Sequence, residues 1–201
     1  MNLRIYIAGQ DSIGRKALIQ TYMTGDCDKS EYSGYLFDIQ HKKIIFDKKK
    51  IDLFIQIDES AENTRSSRII SYGFADVVVF CFCLVNQYSY DEIENNYRQE
   101  ILEYCKDKPY ILVGLKKDKR DRFDFNNVTF YENNKITTED GERLKNIIKA
   151  QYYIECSSWE HENVNEVFET VIRLGISNKN DIKQDQSMNK KRNSKALCNI
   201  F

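Results

Sequence analysis

Gly9-Gln10-Asp11-Ser12-Ile13-Gly14-Arg15-Lys16 follows the apolar run Leu3-Arg4-Ile5-Tyr6-Ile7-Ala8 and opens an amphipathic segment from Gly14 to Tyr22. The order is strand, glycine-bounded loop, helix. The spacing is that of the phosphate-cradling loop G-x-x-x-x-G-K-[ST], whose backbone amides face a phosphate at a helix N-terminus. The last two positions depart from the pattern. Arg15 stands where a lysine reaches the β- and γ-phosphates, and Lys16 stands where a hydroxyl ligates Mg²⁺.

Outward from this loop, short apolar runs alternate with longer amphipathic ones. Ile44 to Phe46, a Lys-rich turn over Asp47 to Lys50, and Ile51 to Ile57 read as a β-hairpin. Val77 to Val85 and Tyr110 to Val113 are continuous apolar runs, as suits strands buried on both faces of a parallel sheet. Tyr152 to Ile154 reads as the last strand. Helices are expected over Gly14 to Tyr22, Asp91 to Cys105, Thr138 to Ala150 and Val164 to Leu174. Thr137 or Thr138, followed by Glu139 and Asp140, marks a capped start. The single proline, Pro109, sits just ahead of a strand, where its missing N–H does least harm. Repeated βα units predict a doubly wound sheet with its ligand site at the carboxyl ends of the strands.

Composition fits one domain with a polar tail. A chain of 201 residues that is 41% hydrophobic can bury a full core. From Ile176 onward, Lys179, Lys183, Lys190, Lys191, Arg192 and Lys195 face only Asp181 and Asp185, a net of +4. The total is −1, so the rest carries −5, which argues against general nucleic-acid binding. No leader pattern or long apolar run points to secretion or a membrane span. The six cysteines lack framework spacing, and Cys81 and Cys83 read as buried thiols. Without a C-x-x-C, and with the two histidines far apart, a zinc site is not expected. Cys198-Asn199-Ile200-Phe201 fits a prenylation box, and its final Phe favours geranylgeranyl. The neighbouring basic cluster is a suitable second membrane signal. The reading is a flexible tail over 177–201, lipidated at Cys198.

Two further motifs fall at matching places. Val113-Gly114-Leu115-Lys116-Lys117-Asp118 ends one apolar strand, and Glu155-Cys156-Ser157-Ser158 ends the last. Together they resemble the guanine-recognition loops of small GTPases, T/N-K-x-D and E-x-S-A. The resemblance is closest to the Rho/Rac branch. Glu31-Tyr32 and Phe37-Asp38 look like remnants of its first switch. Arg68, Ser71-Tyr72 and Asp76-Val77 resemble the segment after its second switch. Phe80-Cys81-Phe82 with Val85 resembles its buried strand. Residues 119–136 fill the place of its insert helix. Tyr153-Ile154-Glu155-Cys156-Ser157 and Val167-Phe168-Glu169 extend the likeness, which runs from about Leu3 to Ile176 and resumes at the tail.

The resemblance implies an α/β P-loop small GTPase (G domain) fold over 1–176, with a mostly parallel six-stranded sheet flanked by helices. It implies GTP or GDP as ligand, held by Gly9, Asp11, Ser12, Ile13, Gly14, Arg15, Lys16, Asp58, Lys116, Asp118, Ser157 and Ser158. Asp118 would accept from two guanine N–H groups, the stem of Lys116 would pack on the base, and the serine loop would steady both. Tyr32, Tyr35, Phe37 and Asp38 would form the effector region. Effectors and regulators of the Rho type and a membrane would be the partners, at the cytoplasmic face of the plasma membrane, with actin organisation as the outcome.

The departures bear on mechanism. Tyr35 takes the place of the Mg²⁺-binding switch threonine. Asp58-Glu59-Ser60-Ala61-Glu62 replaces D-T-A-G-Q, so Ala61 and Glu62 stand at the hydrolytic positions. Asp11 replaces the second loop glycine and repels the γ-phosphate. No stacking aromatic lies near Cys27-Asp28, and Leu115 removes a polar loop contact. Arg15 can pair with phosphate through its fork. Lys16 either places an ammonium near the Mg²⁺ position, points to solvent, or pairs with Asp58. Three functions remain open: an ordinary Rho-type switch, a guanine-nucleotide binder with weak or absent hydrolysis, and a nucleotide-free scaffold. The second fits these departures best, and neither Lys16 nor Tyr35 is a usual Mg²⁺ ligand.

Overall fold

The computed structural model describes residues 1–27, 39–57, 65–122 and 135–198, with side chains to Asp181. The chain runs β1 (Asn2–Gly9), α1 (Arg15–Thr24), β2 (Ile39–Phe46), β3 (Lys49–Ile57), α2 (Arg65–Phe74) and β4 (Val77–Cys83). It continues as α3 (Gln87–Glu92), a π-helical turn (Ile93–Tyr97), α4 (Arg98–Tyr104), β5 (Tyr110–Leu115) and α5 (Lys117–Asp121). The last elements are α6 (Thr138–Ile148), β6 (Tyr153–Glu155) and α7 (Val164–Cys198).

The strands form one sheet in the order β2-β3-β1-β4-β5-β6. Ile5 pairs with Ile55 and with Val77, Phe80 with Leu112, and Val113 with Ile154, all in parallel register. Among the described strands only the β2–β3 pair is antiparallel. This is the doubly wound, mostly parallel sheet that the alternating runs predict. The β2–β3 turn is tighter than expected: Asp47 and Lys48 make it alone, both with positive φ (46° and 62°), as a two-residue hairpin turn requires.

Strand periodicity divides the core into two layers. On one face Leu3, Ile5 and Ile7 of β1 pack with Leu18 of α1 and Phe168 and Val171 of α7. On the other, Tyr6 and Ala8 pack with Tyr72 of α2, Tyr90 of α3, Ile101 of α4 and Leu144 of α6. All seven residues of β4 are buried, which accounts for its unbroken apolar run. Each large apolar side chain buried here contributes roughly 1.5–3 kcal/mol.

Two of the expected helices differ in extent from the sequence reading, and α2 is not among those expected. The expected helix over Asp91 to Cys105 begins earlier and contains the π turn, which places both Ile93 and Tyr97 in the core. Helix α7 runs to Cys198, whereas composition predicts no regular structure after about Asn178. The physical reason is local. Residues 177–198 contain neither proline nor glycine, and five of them are Lys, which favours helix. Residues 123–134 of the expected insert lie outside the described residues.

Candidate functional site

The strand order reverses beside β1, so loops at the carboxyl ends of β1, β5 and β6 converge. That crevice is where an open α/β sheet binds its ligand. The loop after β1 needs its glycines. Gly9 has φ 143°, and a Cβ there would lie 2.5 Å from the Cys81 carbonyl oxygen. Gly14 has φ 115°, and a Cβ would meet the Lys116 stem at 3.3 Å. Both need a residue that tolerates the left-handed region and close approach. The Ile13 side chain is in the core, 1% exposed, and anchors the loop from below. Gly14 caps the start of helix α1 at Arg15, with no side-chain hydrogen bond.

Arg15 does not stand free for a phosphate. Its side chain is only 6% exposed and turns back under the loop. One guanidinium nitrogen donates to the Ile7 carbonyl oxygen at 3.3 Å. The other donates to Asp11 Oδ1 at 2.6 Å, a charge-assisted bond across the loop. The sequence reading gave the two residues separate roles, one attracting phosphate and one repelling it. In the fold they are one ion pair.

The loop after β5 is fastened to this one. Lys116 adopts φ 62° and donates from Nζ to the Ser12 carbonyl oxygen at 3.0 Å. Its stem thus lies over Gly14. Two residues on, Asp118 Oδ1 accepts from Ser157 Oγ at 2.7 Å. Ser157 is fully buried, and its Oγ also accepts from the Glu160 amide at 3.0 Å. One carboxylate oxygen is therefore fixed by a serine that is itself fixed. A carboxylate held this way can accept two parallel N–H bonds from a planar ligand.

A second connection was not foreseen in the sequence. Arg120 of α5 donates to both oxygens of Glu155 at 2.7 and 2.6 Å. Tyr153 Oη donates to the same carboxylate at 2.9 Å. Burial pushes the Glu155 carboxyl up, but the Arg120 fork and the Tyr153 hydroxyl outweigh it and hold it below its ordinary value. The partners are 35 residues apart, so no local pattern links them. Lys117 adds a bond to Glu162 at 2.8 Å, and Arg122 pairs with Glu160. The β5 and β6 loops are thus tied to each other at several points.

Between these loops lies a cavity of about 580 Å³, lined by Gly14, Lys116, Asp118, Ser158, Cys27 and Trp159 among others. This is the size of a small-molecule site. Trp159, the chain's only tryptophan, was not singled out in the sequence, and it is 47% exposed at the cavity wall. The thiols below are inert by comparison. Burial pushes Cys81 up to about 12, although Arg15 pulls the other way, and burial raises Cys156 as well.

Gly9, Asp11, Ser12, Ile13, Gly14, Arg15, Lys16, Lys116, Asp118, Ser157 and Ser158 thus gather at one end of the sheet. Asp58, Ala61, Glu62, Tyr32, Tyr35, Phe37 and Asp38 lie outside the described residues. Cys198 ends α7, and its side chain is likewise undescribed. A ligand with a hydrogen-bonding ring edge and a phosphate chain fits this loop set at the ring end. By resemblance Lys16 stands at the chain position of a Mg²⁺-binding hydroxyl, and a lysine ammonium does not fit a site that takes oxygen ligands.

The fold and the three loops define a P-loop nucleotide-binding domain of the doubly wound class. A family model described as the Ras family matches residues 4–178, so the chain belongs to the Ras family, the small GTPases. Members of that family bind GTP and GDP, generally with Mg²⁺, and meet effectors and regulators.

Proposed function

We propose that this chain is a Rho-like GTP-binding signalling protein with weak or absent intrinsic hydrolysis, carried to the plasma membrane by a prenyl group on Cys198. The observation that carries the guanine reading is the Lys116–Asp118–Ser157 constellation on the cavity wall, with the Asp118 carboxylate fixed at 2.7 Å from a buried hydroxyl. Asp118 reads the base edge, Lys116 covers the base and ties the two loops, and Ser157 orients Asp118. Gly9, Ser12, Gly14 and the first amides of α1 meet the phosphates. By resemblance alone, Asp58 belongs with the phosphate end, and Tyr32, Tyr35, Phe37 and Asp38 form the effector region.

Poor hydrolysis follows from the chemistry of the residues present. Turnover needs a bridging metal, a positioned water and charge stabilisation. Lys16, Tyr35, Ala61 and Glu62 replace the groups that supply them. The Rho-type partners and the link to actin organisation rest on the resemblance of the switch-flanking segments. The Asp11–Arg15 pair favours a second reading, a nucleotide-free scaffold that binds partners constitutively. The two readings part on the nucleotide that accompanies the purified protein and on single-turnover GTP hydrolysis. The proposal expects guanine nucleotide with almost no turnover. Turnover at the rate of ordinary family members restores the ordinary switch, and no binding of any added guanine nucleotide supports the scaffold.

A further inference from the structure

We propose that the Asp11–Arg15 ion pair makes this site rank guanine ligands by base and not by phosphate number. The inference rests on the guanine-binding reading above and goes beyond it to what the site can distinguish. Arg15 is the residue at the loop position from which a cation reaches the phosphate chain. Its guanidinium is held beneath the loop by two partners, Asp11 at 2.6 Å and the Ile7 carbonyl at 3.3 Å. Reaching a phosphate requires this buried guanidinium to leave both, giving up a charge-assisted bond. Arg15 is 6% exposed while Asp11 is 56% exposed, so the guanidinium lies beneath and the carboxylate faces outward.

The consequence is a loop with opposing terms. Each added phosphate brings negative charge toward the loop amides, which attract it. Each also brings that charge toward the outward carboxylate, which repels it. In a loop with glycine at the Asp11 position the second term is absent and the cation adds to the first. Here the terms offset, and the Lys116–Asp118–Ser157 end supplies most of the discrimination.

The experiment titrates the full chain by calorimetry with guanosine, GMP, GDP and GTP, and repeats the ladder for Asp11→Gly and Asp11→Asn. Glycine permits any loop conformation, and asparagine keeps the shape while removing the charge. Wild type is expected to hold GMP, GDP and GTP within about tenfold of one another, and both variants to tighten GDP and GTP over GMP by at least another tenfold. A wild-type rise beyond tenfold from GMP to GTP overturns the inference while leaving the guanine reading intact. So does a ladder that stays flat in both variants, because the ion pair is then not its cause. Failure of wild type to bind any of the four ligands overturns the guanine reading, and the inference falls with it.

Discussion

Glu155→Ala tests the connection between the β5 and β6 loops. Glu155 accepts two short bonds from Arg120 and one from Tyr153, with its side chain 9% and that of Arg120 13% exposed. Removing one member of a buried pair typically costs about 3–5 kcal/mol. Arg120 keeps the Ile136 carbonyl at 3.3 Å and Asp121 at 2.8 Å, so part of its charge remains solvated by protein. The expected loss is therefore lower, about 2–3 kcal/mol. For a chain of this size, each kcal/mol moves Tm by roughly 2–4 °C, so a fall of about 5–10 °C is predicted in a thermal melt. Urea unfolding should report the same loss with an unchanged m-value. The double variant Arg120→Met with Glu155→Leu should be more stable than either single variant, because no charge is stranded. The acid limb supplies a signed check. The folded carboxyl is held below its ordinary value of 4.5, so its contribution is present above that value and is lost as pH falls through the lower folded value. The stability of wild type should therefore drop more steeply below about pH 4.5 than that of Glu155→Gln. A Glu155→Ala protein within half a kcal/mol of wild type, or identical acid limbs, refutes the clamp.

Three further outcomes follow. Glu100 is buried, bonded bidentately to Arg68 at 3.0 and 2.6 Å and to Tyr72 Oη at 3.1 Å, and thereby fixes α2 to α4. Glu100→Ala should cost about 3–5 kcal/mol in urea unfolding, and a loss under 1 kcal/mol would remove this network from the account. Nucleotide release, followed with a fluorescent GDP, should change less than about twofold on adding a chelator, since Lys16 is no Mg²⁺ ligand; strong acceleration would mean a metal site built from other residues. Cys198→Ser should leave the thermal melt unchanged and shift the protein from membranes to cytosol on fractionation, and unchanged partitioning would contradict the lipid anchor.

The sheet and the loop after β1 were legible because their signals are local. Apolar runs, a glycine pair five apart and two base-loop motifs each lie within a few residues. The capped start of α6 was equally local, and Thr137 and Asp140 form the reciprocal bonds expected there. Helix α2 is not among the helices expected from the sequence, although it is amphipathic and turns Ile69 and Tyr72 onto the second core layer. The Asp11–Arg15 pair was missed as well. The two residues are four apart, but Asp11 precedes the helix, so helix-face spacing did not suggest contact. Arg120–Glu155 and the placement of Trp159 depend on β5 and β6 being neighbours, which only the sheet order supplies. The extent of α7 is hard to read because a polar composition points away from regular structure while the absence of proline and glycine permits a helix.

The central claim is that Asp118, set by Ser157, selects guanine. Competition between GDP and ADP for the wild-type protein tests it most directly. A carboxylate accepting two N–H bonds from guanine gains about 1.5–3 kcal/mol from each, and adenine offers that edge an acceptor in place of one donor. GDP should therefore compete at least about a hundredfold better than ADP. Equal competition by the two nucleotides would contradict the claim.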